Sequence, residues 1–259
     1  MSIKHTIVSK IFKDIYRLST VLPLYSSETE ILNKIASKYG VERKMVYSIR
    51  NLVRIQREII HPKITVTDES IIDRKIDDIC KVIDNKYLLR KIIREINLPS
   101  KNVAQYLIIK LGNRKNLVKI INDFNAYEKS SSGRAKEFEI NIEKQLDKNN
   151  IQYKNETELR SYGITDATPD ILFNHPTKIH FNEKEYQLSW LDAKNYFFSD
   201  INFIQKSLKK QAEKYNNKYG HGCFVFAYGY DQELAEKFYS KYNTLIVNPT
   251  DIFFLEQQK

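Results

Sequence analysis

Cysteine is almost absent from this chain of 259 residues. Cys80 and Cys223 are far apart and have no partners at ligand spacing, so neither a disulfide framework nor a cysteine-bound structural zinc is expected. Histidine is also sparse: His5, His61, His175, His180 and His221 are scattered and form no zinc or HNH-type constellation. No apolar run approaches the roughly 20 residues that a bilayer span requires, and the amino terminus lacks the apolar stretch of a secretory signal. These absences predict a soluble intracellular protein without a membrane partner, nuclear if its source is eukaryotic and cytoplasmic otherwise. Internal repeats are also missing.

Positive charge is present in excess, and it is unevenly placed. The net charge is +10. Residues 1–128 hold 24 basic against 14 acidic side chains, whereas residues 129–259 hold 18 of each, so the whole excess lies in the first half. The length suits two domains that each bury a core. Their expected bounds are 1–128 and 129–259, with Asn122 to Gly133 and its Ser130-Ser131-Ser132-Gly133 stretch as the linker. A basic module beside a charge-balanced one points to attraction for phosphates, residing mainly in the former.

The first half reads as helix throughout. Met1 to Thr20 places Ile7, Ile11, Phe12, Ile15 and Leu18 at helical spacing, and Pro23 ends it. A helix from Glu28 to Tyr39, then Gly40 and a helix from Arg43 to Gln56, has the outline of a helix-turn-helix: Ala36 allows close crossing, and Val41, Val46 and Ile49 pack the second helix on the first. Its outer face would carry Arg43, Lys44, Tyr47, Arg50 and Arg54 toward a DNA groove or phosphates. Further helices are expected over Ile71–Ile83, Lys86–Ile96 and, after a Leu98-Pro99-Ser100 cap, Lys101–Leu111.

In the second half a helix from Arg134 to Leu146 turns Ala135, Phe138 and Ile142 inward, with Glu139 bordering that stripe. Strands follow near Gln152, Asp170, Ile179 and Leu188, then a helix from about Ile201 to Lys218, a buried strand Cys223–Tyr228, a helix Gln232–Tyr239 and a last strand Thr244–Val247. The first motif strand, Ile171-Leu172-Phe173, is expected to end at an Asn174-His175-Pro176 turn and return through Ile179-His180-Phe181. On the next strand the period of two sets Leu188, Trp190, Asp192 and Lys194 on one face, so Asp192 and Lys194 share a site. Carboxylates with a lysine are what metal-dependent phosphodiester hydrolysis requires: hard oxygen ligands, and a cation for the charged transition state.

Thr168-Pro169-Asp170 followed by Trp190-Leu191-Asp192-Ala193-Lys194 resembles the PD-(D/E)xK nuclease superfamily, in particular its TPD branch, typified by the codanin-interacting nuclease. Gly133 with Glu137-Phe138-Glu139 upstream, and Tyr219-Gly220-His221-Gly222 leading into Phe224–Tyr230, extend the likeness over the second half. Asp192 stands where the animal members are expected to have glutamate. The resemblance implies an α+β chain: an all-α helix-turn-helix domain followed by an α/β restriction-endonuclease-like domain with an αβββαβ core and a mixed sheet. It implies Mg²⁺ or Mn²⁺ held by Glu139, Asp170, Asp192 and the Ala193 carbonyl, and catalysis by these carboxylates with Lys194 and Gln211. Glu137 stays open as the helix ligand. Gln211 and Tyr215 resemble the QxxxY pair of some relatives, facing the site or the nucleic acid. The expected function is a metal-dependent DNA endonuclease acting on branched or structured DNA, with a codanin-like protein partner if the likeness extends that far. The alternatives are an RNA nuclease, or a DNA-binding or protein-interaction adaptor with a vestigial site.

Overall fold

The computed structural model describes residues 2–16, 26–60, 64–96, 98 and 100–254. The chain is α+β and divides into two compact units, residues 11–132 and residues 1–10 with 133–259. The first ten residues therefore group with the second half, not with the helical stretch that follows them. Instead of opening on a helix, the chain opens on β1 (Ser2–Ile3), and α1 (His5–Tyr16) follows. The expected helix end near Pro23 lies outside the described residues, as do His61 and Pro99.

The helical unit continues with α2 (Ser26–Tyr39), α3 (Arg43–Ile60), α4 (Val66–Asp73), α5 (Ile76–Val82), α6 (Lys86–Glu95), α7 (Ser100–Leu111) and the start of α8 (Lys115–Lys148). Gly40 adopts φ +61°, and the Val41 N–H donates to the Ala36 carbonyl while the Gly40 N–H donates to Ser37, the bonding that closes a helix and turns the chain into α3. The single helix expected over Ile71–Ile83 is two. A reciprocal Thr65–Asp68 cap starts α4 early, and Asp77 and Asp78 favour a new N-terminus at α5. Ile72, Ile79, Leu89, Ile93, Val103, Leu107, Leu117 and Ile120 form the core.

The expected linker is also helical. Asn122 to Gly133 lie inside α8, which runs unbroken for 34 residues. Serine and glycine each cost a helix no more than about 1 kcal/mol, and buried Leu117 and Ile120 before them and Ile142 and Leu146 after them anchor both ends.

The sheet unit adds β2 (Tyr153–Asn155), α9 (Glu156–Ser161), β3 (Ile171–Phe181), β4 (Lys184–Lys194), α10 (Asn202–Tyr219), β5 (Gly222–Phe226), β6 (Tyr230–Asp231), α11 (Gln232–Tyr242), β7 (Thr244–Val247) and β8 (Phe253–Phe254). The main sheet is mixed, in the order β2-β3-β4-β5-β7 with β8 beside β3. β2 and β4 run antiparallel to β3, while β5 and β7 continue in parallel from β4. β1 pairs with β6 in a separate two-stranded ribbon.

The expected turn at Asn174-His175-Pro176 is an irregularity within one long strand, where the β3–β4 register shifts between Leu172 and Thr177. Proline has no N–H for a ladder, and a bulge is where a strand tolerates it. The reversal comes instead at Asn182-Glu183, both at positive φ, a two-residue turn matched to strand twist. One glycine is sterically fixed: a Cβ on Gly222 would lie 2.1 Å from the ring of buried Trp190. No helix among the described residues is long and apolar enough to cross a membrane.

Candidate functional site

The site is made by a strand that stops short. The β3–β4 ladder ends at the Ile171–Leu191 pair, so the last three residues of β4 lose their neighbour on that side while still pairing with β5 on the other. Asp170 stands just before β3, and its Oδ2 accepts the Ala193 N–H at 2.7 Å across the gap. In an extended strand the N–H and C=O of one residue point the same way, so the Ala193 carbonyl also faces this edge.

Side-chain alternation then distributes β4 between the two faces of the sheet. Trp190, Asp192 and Lys194 lie toward α10: the Trp190 and Tyr215 rings are 5.0 Å apart, and Lys194 Nζ sits 5.4 Å from the Phe224 ring centre. Leu191 and Ala193 face the other way, into a recess shared with Glu139, Ile142 and Glu143 of α8. Where β3 is missing the two sides communicate. A cleft of about 560 Å³ there is lined by Glu139, Asp170, Asp192, Lys194, Gln211 and Tyr215, among others. Glu137 is exposed and does not line it, so the geometry selects Glu139 as the glutamate of α8 at the site.

Two carboxylates meet here in a partly dry setting. Burial, reinforced by the Asp192 charge, pushes the Asp170 carboxyl up to about 8. Asp192 is 4% exposed and takes a hydrogen bond from Lys194 Nζ at 2.5 Å. Burial opposes the Lys194 charge most strongly of any single influence, but the Asp192 carboxylate together with Tyr196 and Asp170 outweighs it and holds the ammonium above its ordinary range. Glu139 is paired with Lys136 at 3.1 Å. Each of the three carboxylates is thus held by a donor of the chain itself: Glu139 by an ammonium, Asp192 by another, Asp170 by a peptide N–H. Among the described residues no group of three or more His, Cys, Asp or Glu stands already converged as a metal cage.

Two tyrosines of α10 fasten the segment leading to Asp170. Tyr215 OH donates to the Thr168 carbonyl at 3.2 Å and Tyr219 OH to the Ala167 carbonyl at 2.6 Å. Burial, with Asp192 and Asp170 close by, pushes the Tyr215 phenol well up. Its ring is buried and its hydroxyl bonded to Thr168, and it lines the cleft beside Gln211, so of the two places expected for this pair, the site or the nucleic acid, Tyr215 stands at the site, where it holds the motif segment. Thr168 Oγ1 donates to Glu156 at 3.2 Å, and the same carboxylate oxygen receives two N–H groups of Arg160.

The basic face expected on α3 is only partly a face. Arg43 and Lys44 are exposed, and the Arg43 guanidinium lies 5.4 Å from the ring centre of half-buried Tyr47. Arg50 and Arg54, at 2% and 8% exposure, are buried. The middle of α3 is covered nearly all round, which a single-stripe reading of its pattern does not capture. The cleft meanwhile contains residues that motif reasoning passed over: Glu156, Arg160, Lys210 and Lys214. Lys210 and Lys214 could have been read from their spacing with Gln211 on one helix face, and Glu156 from the Asn155-x-x-Glu158 cap that starts α9 beside it.

A family model described as a protein of unknown function with the TPD sequence motif matches residues 114–249, which include α8 from its first turn, the Thr168-Pro169-Asp170 triplet and β7. The uncharacterized protein L539 of Acanthamoeba polyphaga mimivirus is 30% identical over 241 residues, covering 89% of this chain and 85% of the viral protein. No solved structure matches the chain.

Proposed function

This chain belongs to the TPD sequence-motif family, whose function is unknown, and from the cleft that holds the motif we propose that it is a divalent-metal-dependent nuclease of the PD-(D/E)xK type, hydrolysing phosphodiester bonds of DNA, branched or structured forms included. The observation that carries the reading is the meeting of Asp170, Asp192 and Lys194 at one strand edge, with Glu139 brought to the same cleft by α8.

The donor set suits a hard cation. Three carboxylates and a peptide carbonyl are oxygen ligands of the sort Mg²⁺ and Mn²⁺ prefer. The Asp170 carboxyl is raised first by burial and then by the Asp192 charge, and a cation bound between the two would relieve both. Glu139, Asp170, Asp192 and the Ala193 carbonyl would hold the metal, which when bound polarises the phosphoryl oxygen and makes water a better nucleophile. Lys194 supplies a fixed positive charge next to the reacting phosphate, worth most in a site shielded from water. Asp192 keeps that ammonium charged and aimed. The Ala193 N–H orients Asp170, and Tyr215 and Tyr219 keep the Asp170 backbone in place. Glu156, held by Arg160, steadies Thr168.

The test is cleavage by purified protein of a panel of single-stranded, duplex, flap and four-way DNA together with RNA, in Mg²⁺ or Mn²⁺. Cleavage that is lost in chelator and in Asp170→Asn supports the nuclease. Failure on every substrate, together with no calorimetric Mn²⁺ signal, would assign the chain to the adaptor class.

A further inference from the structure

Electrical neutrality of the second half conceals a separation of charge. Glu139, Asp170 and Asp192 stand at one side of the cleft, and one stripe of α10, Ser207, Lys210, Gln211 and Lys214, lines another. Positions 207, 210, 211 and 214 share a helix face, next to the buried face of Leu208, Ala212 and Tyr215. The lysines of α10 differ in their partners. Lys209 reaches Glu213 at 3.8 Å and Lys218 reaches Asp166 at 2.7 Å. Lys210 and Lys214, both exposed on the cleft, form no ion pair among the described residues, although Lys214 is near enough to Asp166, itself on the cleft and paired with Lys218, to act on its carboxylate. They lie one turn apart, about 6 Å along the helix axis, and like charges at that spacing oppose each other mildly. An anion bearing repeated charge relieves that opposition; a single small anion at one ammonium does not.

On the reading that the cleft hydrolyses phosphodiesters, we infer that Lys210 and Lys214 bind successive backbone phosphates of one nucleic-acid strand lying along α10. This stripe holds the strand while one of its phosphates reaches Asp170, Asp192 and Lys194. The ligand is a polymer strand, because a straight stripe one helix face wide presents its cations in a row. Gln211 lies between the two lysines, where its amide can bond sugar or base. The principal grip on nucleic acid then belongs to the charge-balanced unit, although the excess of basic residues lies elsewhere.

The test uses the full chain and a fluorescein-labelled single-stranded oligonucleotide in Ca²⁺, read by anisotropy across a salt series. Lys210→Gln/Lys214→Gln is compared with Lys237→Gln/Lys241→Gln, which removes the same charge from α11, outside the cleft lining. The expected result is about tenfold weaker binding for the cleft pair only, with the slope of log affinity against log salt reduced by about 1.4, from two lost single-strand phosphate contacts. Equal losses in both variants, no loss in either, or competition by a mononucleotide as strong as by the oligonucleotide would overturn the inference. Hydrolysis of bis(p-nitrophenyl) phosphate in Mn²⁺ separates this claim from the one beneath it, since that diester has no flanking phosphates. Equal hydrolysis by wild type and the cleft pair, with unchanged oligonucleotide binding, removes the strand site alone. No hydrolysis by either, with the binding loss confined to the cleft pair, keeps the strand site and removes the nuclease reading.

Discussion

The peptide N–H of Ala193 is bonded to the carboxylate of Asp170 at 2.7 Å, so the strand that carries Asp192 and Lys194 also fixes the carboxylate before β3. The two motifs are therefore one mechanical unit, and a change at Asp170 is felt on β4.

Asp170→Asn is predicted to abolish metal-dependent cleavage while stabilising the metal-free protein in a pH-dependent way. The carboxyl is raised in the folded state from 3.8 to about 8. A raised carboxyl favours the folded state most below pH 3.8, and that contribution is lost as pH rises toward 8. Wild type should therefore fall progressively behind Asp170→Asn in urea midpoint over that window. Parallel midpoint curves for the two proteins would show that Asp170 ionises freely.

For Lys194→Ala the cleavage rate should drop by orders of magnitude, because the lost cation acts on charge present in the transition state. The metal-free protein should also lose about 3 kcal/mol, since a buried carboxylate is left without its partner. Calorimetry should show Mn²⁺ affinity preserved or increased, as Asp192 no longer has an internal competitor. A fall in Mn²⁺ affinity parallel to the fall in rate would mean that Lys194 shapes the site instead of acting in it.

Trp190 is the single tryptophan, two residues before Asp192 on the same face of β4 and bonded through Nε1 to Asn216 and Gly220. Its fluorescence should change on Mn²⁺ addition in wild type and stay constant in Asp192→Asn. Gly222→Ala places a methyl group inside the indole and should cost about 3 kcal/mol or more, with a shifted emission maximum. An unshifted spectrum would show that the backbone at position 222 gives way and leaves the ring in place.

Arg50→Gln is expected to lower the melting temperature and leave the salt dependence of DNA binding unchanged, because the side chain is buried. Arg43→Gln/Lys44→Gln removes exposed charge from the start of α3 and should leave stability within about 0.5 kcal/mol of wild type. Thermal unfolding together with a duplex-DNA salt series tests both. A reduced slope for the second variant would assign phosphate contact to this helix as well as to α10.

The meeting of Asp170, Asp192 and Lys194 was legible because strand alternation is a strict rule. The two-residue period alone put Asp192 and Lys194 on one face, and the hairpin bringing Asp170 beside them needed only antiparallel return. What could not be read was the place of the reversal. Pro176 has the chemistry of a turn, yet the register shift absorbs it and Asn182-Glu183 makes the bend. Ser130–Gly133 has the chemistry of a linker, yet weak helix formers are carried along when buried turns flank them. Arg50 and Arg54 have the chemistry of a DNA face, and only the packing around α3 shows them covered. Composition over the second half gave zero net charge, and the row of α10 lysines on the cleft became visible only when α10 was set beside the sheet.

The pairing of β1 with β6 also has a consequence in time. His5 and its bonding partner Asp231 are separated by 226 positions, so during synthesis the ribbon must wait until all the residues between them have emerged. The helical core of Ile72 to Ile120, built from neighbours in sequence, can form long before that. Pulse-labelled hydrogen exchange during refolding should show the amides of α4 to α7 protected first and those of Ile3 and Asp231 last. Until that ribbon closes, Ser2–Ile3 is not tied to Tyr230–Asp231, and a protease that cuts near Lys4 should find its target in late intermediates and miss it in the folded protein.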